Sequence, residues 1–347
     1  MPTPPNAQVF HVAEAEVGKT LAAVLRGRLA GLPWSQVQRL VRKRHVLVNG
    51  NLCCDEGRRL KTGEVLKVLE HATAPQGREE DVRIRYVDEH VVVVEKPAGM
   101  TSVRHDEERH WKESRKNLQP TLEDVLPRIL AKRDTSEKPA RREQRGRHKT
   151  PPPVDRRRPV RTVPVRAVHR LDRETSGLMV FARTVAAERL LGAQFREHAT
   201  YRRYIAVVEG AVQEQTFESR LIRDRGDGRR GSTIEPEVGK RAVTHVKPKE
   251  MLDGYTVLEC RLETGRTHQI RIHLSEAGHP LCGEKVYRGP PFKPPTTDRS
   301  GAPRIALHAA ELGFVHPVTG ESLRYTMPLP KDLQSFIDRL RKQGKSS

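Results

Sequence analysis

Aromatic residues are scarce in this chain: seven Phe, six Tyr and two Trp among 347 residues. Any core must therefore be aliphatic. With hydrophobic residues at only 35%, the surface must be large and polar. Cysteine is sparse too. Cys53, Cys54, Cys260 and Cys282 include no Cys-x-x-Cys pair, so the spacing of a zinc knuckle or a redox pair is missing. Adjacent cysteines are a poor start for a structural disulfide, and a reducing, cytoplasmic setting is expected. No apolar run approaches the length of a transmembrane helix. Residues 1–8 are Pro-rich and lack the basic-then-apolar order of a signal peptide.

Acid is the other shortage. Against 64 Lys and Arg stand 44 Asp and Glu, a formal net charge of +20 and a pI of about 10.2. Such an excess is the footprint of a polyanion binder, most simply of nucleic acid. An anionic membrane surface would attract the same charge. However, no segment reads as a basic amphipathic helix with an aromatic apolar face, so no membrane partner is expected. The length suits about two domains.

Residues 16–70 read as a small module. Val17 to Leu25 has apolar residues at helical spacing. Ser35 reads as the N-cap of a second helix with Val37, Leu40 and Val41 on one face. Its other face is basic, and Arg39, Arg42, Lys43 and Arg44 are candidate RNA-binding residues. Val46-Leu47-Val48-Asn49-Gly50 reads as a strand entering a turn, and residues 60–68 as a turn and a second strand. A basic helix packed on a hairpin would be the plain account. The order of elements, with Val-x-Val-Asn-Gly and Thr-Gly-Glu in place, resembles the RNA-binding domain first seen in ribosomal protein S-four.

After a linker at 71–81, residues 81–335 read as a second domain. Residues 81–88 alternate like a half-buried strand, and the four valines at 91–94 form a buried one, closed by Lys96-Pro97-Ala98-Gly99. Residues 104–166 stand apart, with 13 Lys and Arg against 4 Asp and Glu over 132–166. They are expected to be a basic, disordered insertion holding at most one short helix within 118–130. Two accounts of it stay open: an arm that neutralises RNA phosphates, or a charged loop of no defined role. Beyond 167, strands recur with few long helices. The fold class expected is α+β around a mixed, largely antiparallel sheet.

Three runs carry chemistry. His169-Arg170-Leu171-Asp172-Arg173-Glu174-Thr175-Ser176-Gly177 isolates Asp172 between two arginines, ahead of the apolar Leu178-Met179-Val180-Phe181. A carboxylate held on a tight turn beside cations stays ionised, as a carboxylate nucleophile must. Taken alone, the same acid reads as one member of a solvated charge run. Tyr201-Arg202-Arg203-Tyr204 comes second, and Thr264-Gly265-Arg266-Thr267-His268-Gln269-Ile270-Arg271 third. Alone, Tyr204 would be a strand aromatic and Arg271 a salt-bridge residue. His268 and His273 have no Cys or carboxylate at ligand spacing beside them, so no metal site is expected.

In this order the runs resemble the signature motifs of the RluA-like RNA pseudouridine synthases. Gly278-His279-Pro280-Leu281-Cys282-Gly283 continues the match, with Glu284 where that family usually has Asp and Arg202 where it more often has Lys. The resemblance implies an enzyme that isomerises uridine to pseudouridine in RNA. Asp172 would be the essential carboxylate, attacking the anomeric carbon or carbon six of the base, or removing a sugar proton. Arg271 would pair with it. Tyr204 would stack on the base and act as a late general base. The target base would have to be flipped out, with Arg170 filling its place in the stack. Arg266 and His268 would contact RNA. An isomerisation needs no redox cofactor, energy source or metal by stoichiometry, so no cofactor is expected. The N-terminal module points to large-subunit ribosomal RNA as partner, and a monomer is expected. The competing reading is a non-catalytic RNA-binding or ribosome-assembly protein, which would have no need of Asp172. A methyltransferase or hydrolase would need a Gly-rich loop or a metal cluster, and the sequence has neither.

Overall fold

A computed structural model of the chain describes residues 8–49, 51–69, 72, 77–104, 108–137, 163–226, 229–291 and 293–344. At its start two helices cover a four-stranded antiparallel sheet. Helix Leu21–Arg28 begins at Thr20, whose Oγ1 accepts the Ala23 N–H at 3.3 Å. It starts later than the periodicity from Val17 predicts, because Gly18 turns the chain with φ +79°. Helix Trp34–Arg42 has Pro33 at its N-cap, which places Ser35 in the first turn instead of at the cap. The sheet order is Gln8–His11, Val65–Val68, Val46–Val48, Asn51–Leu52. Leu21, Leu25, Val37, Val41 and Leu66 are fully buried between the layers. The module thus reaches back beyond residue 16, since Gln8 pairs with Val68 and His11 with Val65.

A second sheet, eleven-stranded among the described residues, carries the rest. Its middle runs Lys240–Leu252, Tyr255–Leu262, Tyr201–Glu209, Leu307–Val315, Ser176–Ala182, Val91–Lys96. All its pairings are antiparallel except one: Leu307–Val315 lies parallel to Ser176–Ala182, with Ala309 opposite Gly177. This is the mixed, largely antiparallel α+β sheet expected. Ser176–Ala182 and Val91–Lys96 are buried along their whole length, which is why both read as continuous apolar runs instead of alternating ones. Helix Lys331–Gln343 packs Leu333, Phe336, Ile337 and Leu340 against Val207 and Val257, so the domain runs past residue 335.

The expected disordered insertion needs correcting over its first part. Arg104 is buried and pairs with Asp124 at 2.5 Å. Helix Leu122–Glu137 places Leu122, Val125, Leu126 and Leu130 in the main core with Met179 and Phe181. That spacing is an amphipathic stripe, and the charge excess further along obscured it. Residues 138–162, which hold most of the insertion's basic side chains, lie outside the described residues.

The module rests on the larger domain. Leu47, Leu52 and Leu69 pack with Ile272, Val286 and Tyr287. Lys67 Nζ donates to the Lys285 carbonyl at 3.1 Å, and the Cys54 N–H to Gln119 Oε1 at 3.1 Å. No helix among the described residues is long and apolar enough to cross a membrane.

Candidate active site

Asp172 sits on the turn that enters strand Ser176–Ala182, and neighbouring elements fix that turn from below. Ser102 Oγ donates to the Leu171 carbonyl at 2.7 Å and accepts the Leu171 N–H at 3.1 Å. The Gly99 N–H donates to the Arg173 carbonyl at 2.8 Å. Lys96, wholly buried, spreads its ammonium over the carbonyls of Met100 (2.8 Å), Pro97 (3.0 Å) and Arg173 (3.2 Å). Burial pushes its pKa down to about 7. The Lys-Pro-x-Gly turn and the Asp172 turn are therefore one hydrogen-bonded unit.

The carboxylate meets its partners from the other side. Helix Gln269–Glu276 presents Arg271, whose Nη1 donates to Asp172 Oδ2 at 3.2 Å. The same guanidinium donates from Nε and Nη2 to Glu284, at 2.7 and 2.9 Å. Burial works against the charge on Asp172, but His268, Arg271 and Arg170 outweigh it and hold the carboxyl below its usual range. It is ionised at neutral pH. Tyr204, on strand Tyr201–Glu209, is also buried, and desolvation raises its hydroxyl to about 12.

Asp172 lies where two cavities meet. One, of about 1380 Å³ with its open mouth, is lined by Arg170, Tyr204, Arg266, His268, Ile270 and Arg271. The other, of about 1120 Å³ with its open mouth, lies against Leu47, Leu52 and Leu69 of the N-terminal module. The first joins an ionised acid, a buried tyrosine, apolar walls and cations at the rim. This suits a flat, uncharged base attached to a phosphate backbone.

Comparison with known proteins agrees. Residues 90–276 match the family model described as RNA pseudouridylate synthase. The ribosomal large subunit pseudouridine synthase D of Xanthomonas campestris is 32% identical over 96% of this chain and 92% of its own. The chain belongs to the RNA pseudouridylate synthase family. The protein of the same name from Neisseria meningitidis serogroup A is 42% identical over 50% of this chain and 48% of its own. The human RNA pseudouridylate synthase domain containing 4 shares the fold, with a TM-score of 0.52 at 22% identity, over 74% of this chain and 92% of its own.

In this synthase the sequence-derived residues divide into three groups. Asp172, Tyr204, Arg271, Arg170, Arg266 and His268 converge on one cavity. Arg170 is exposed at its rim and makes no side-chain hydrogen bond among the described residues. Arg266 is half-buried, and its Nε donates to the Arg241 carbonyl at 3.0 Å. His268 is 7% exposed, faces Asp172 and lines the same cavity. Arg39, Arg42 and Lys43 are exposed on the module and line neither cavity. Arg44 takes a left-handed backbone, φ +66°, with its Nε buried and unpartnered.

Sequence reasoning missed Tyr287, Arg230 and the part played by Glu284. Arg230 approaches Tyr287, Arg170 and Asp172, and burial lowers its pKa. Only the Asp-to-Glu departure at 284 offered a signal. Tyr287 and Arg230 have none in the chain, because folding alone brings them to Asp172.

Proposed function

We propose that this protein converts uridine to pseudouridine in large-subunit ribosomal RNA, with Asp172 as the reacting carboxylate. The observation that carries this reading is the ion pair of half-buried Asp172 with buried Arg271 at 3.2 Å, on the wall of the cavity that Tyr204 also lines. An ionised acid partly shielded from water and set on the wall of an open cleft is of use to a catalyst and of none to a passive RNA binder.

The reaction breaks the bond between the uracil nitrogen and the sugar, turns the base, and rejoins it through carbon five. Asp172 either bonds the anomeric carbon or base carbon six, or takes a sugar proton. Each needs the anionic form that Arg271 maintains. Carbon five must finally lose its proton, and Tyr204, lining the same cavity, is the candidate group to take it, passing its own hydroxyl proton to the Asp172 carboxylate as it does so. Arg170 is exposed at the mouth, with no side-chain hydrogen bond among the described residues, where a flipped-out base leaves a gap in the stack. We further propose that it acts as a monomer.

Ribosomal specificity is supported by the names of the relatives and by the basic helix Trp34–Arg42 of the N-terminal module, which we take as the RNA-binding domain. A ribosomal substrate supports a cytoplasmic place of work. The test is pseudouridine mapping in total RNA from cells with and without this protein, with Asp172→Asn added back. A defined position in large-subunit RNA, lost without the protein and restored by wild type alone, is the expected result. Full rescue by the variant would transfer the protein to the non-catalytic, RNA-binding reading.

A further inference from the structure

Arg271 engages one oxygen of Asp172. The other, Oδ1, faces His268, whose Nε2 lies 3.8 Å away. His268 is buried and holds φ +61°, ψ +18°, a left-handed conformation in which a side chain is strained. Backbone strain in an active-site cleft persists where the surrounding structure enforces it. Here the restraint is Tyr287, whose hydroxyl lies 2.8 Å from His268 Nδ1, the rings meeting edge to face at 5.5 Å. Tyr287 is buried by Val286, Ile272 and Leu47, and its ring lies 5.1 Å below the Arg271 guanidinium.

The tautomer follows from the charges. Burial pushes the imidazole pKa down to about 3, so the ring is neutral and one nitrogen carries the hydrogen. A lone pair on Nε2 would point at the carboxylate and be repelled. Nε2 therefore carries the hydrogen, Nδ1 accepts, and the Tyr287 hydroxyl donates to it.

We propose that His268 and Tyr287 are positioning residues for Asp172: Tyr287 fixes the imidazole tautomer, and the Nε2–H then steadies Oδ1 while Arg271 holds Oδ2. This rests on the reading of Asp172 as the reacting carboxylate. A neutral donor suits the task better than a second cation. It orients the oxygen without a further full charge that would blunt its reactivity. At 3.8 Å the contact is longer than a hydrogen bond, so the Nε2–H acts on Oδ1 as an oriented dipole. The groups facing Asp172 are His268, Arg271, Arg170, Arg230, Tyr204, Tyr287 and Lys96. Those facing His268 are Asp172, Arg271, Glu284, Arg230 and Tyr287.

The experiment uses the full chain and an unmodified large-subunit ribosomal RNA transcript. His268→Asn tolerates the left-handed backbone and removes the Nε2 donor. His268→Gln reaches the Nε2 position. Tyr287→Phe removes the hydroxyl alone. Single-turnover rates are read against pH. The Asp172 carboxyl carbon is titrated by NMR, assigned by its loss in Asp172→Asn. We expect RNA affinity within about threefold of wild type, with rates down about 100-fold in His268→Asn and about 10-fold in Tyr287→Phe, and partial recovery in His268→Gln.

In His268→Asn and Tyr287→Phe the carboxyl titration and the acid limb of the rate should both move upward, since a donor to the ionised form has been lost. A merely structural pair would lower stability and leave both where they are. A carboxyl that titrates unchanged in Tyr287→Phe overturns the proposal, even if His268→Asn fails to fold. Wild type that forms no pseudouridine, while the carboxyl still shifts in the variants, overturns the uridine chemistry and supports the pair.

Discussion

Glu284 grips Arg271 through two of its three guanidinium nitrogens, at 2.7 and 2.9 Å, and leaves the third to Asp172 at 3.2 Å. Glu284 is itself held: its Oε1 accepts the N–H groups of Lys285, Val286 and Tyr287 at 2.9, 2.7 and 3.3 Å. The arginine therefore cannot turn away from the catalytic acid.

Breaking this buried pair should be costly in both stability and turnover. Glu284→Gln keeps the shape but leaves Arg271 with a single counter-charge. Removing one partner of a buried pair costs about 3–5 kcal/mol. We expect a urea midpoint shifted to match, and pseudouridine formation reduced even where the variant is fully folded. Glu284→Asp restores the charge and should lose less on both counts. Equal stability of wild type and Glu284→Gln would show that Glu284 does not hold the guanidinium.

Acid should unfold the protein early. His268, His273 and His308 are buried and His169 half-buried, and desolvation pushes His169, His268, His273 and His308 to about 3, 3, 4 and 4. His169 Nε2 even accepts a hydrogen bond from the Val180 N–H at 3.0 Å, which a proton would break. In the unfolded chain each would titrate near 6.5. Between those values the unfolded state binds more protons, so stability falls as pH drops, by about 1.4 kcal/mol per pH unit for each histidine at most. Asp172 and Glu284 are held below their ordinary range, so what they contribute disappears only at lower pH, as it falls through their folded values. Denaturant midpoints measured from pH 7 to 4 should drop steeply below about 6.5. A level plateau down to pH 5 would mean that these rings are protonated in the folded protein.

The glycine that closes the Asp172 run answers to the sheet beyond it. Gly177 has φ +133°, and a Cβ there would strike the backbone N, carbonyl oxygen and Cβ of Ala309, its neighbour in the parallel pair. Gly177→Ala should cost about 3 kcal/mol or more, since both backbone and strand pairing must shift. Gly254, at φ +71° with open space around it, is the control. Gly254→Ala should cost about 1 kcal/mol, for the backbone alone. Thermal unfolding of the two variants separates close approach from conformational strain. Equal losses would refute the packing account.

What could be read from the chain follows from how local each signal is. Asp172, Arg271 and Tyr204 lie in contiguous runs whose residue types already fit the chemistry, and they meet at one cavity. The strands at 91–96 and 176–182 were legible because burial on both faces leaves an unbroken apolar run. Helix Leu122–Glu137 was underestimated because its buried stripe is short and runs into strong positive charge. Ser35 is not the cap because Pro33, two residues earlier, already takes the N-cap position. The His268–Tyr287 contact and the docking of Leu47 on Val286 join residues far apart in sequence or in role, and no window of the chain contains their reason.

Arg39 and Lys43 are exposed on the module, away from both cavities. Arg42 is less free for RNA, since its Nη2 donates to Glu56 at 2.9 Å. If the first two each meet a phosphate, the double variant Arg39→Gln, Lys43→Gln releases two fewer counterions on binding. The slope of log affinity against log salt should then become shallower by about 1.4 to 1.8. The single-turnover rate at saturating RNA should stay at the wild-type level, because neither side chain reaches Asp172. A filter-binding salt series on large-subunit RNA reads the first quantity, and a quenched single-turnover assay the second. An unchanged slope would remove this helix from the RNA interface. A lowered saturated rate would mean that the module helps to set the chemistry, through the seam where Leu47 and Leu52 meet the Asp172 cavity.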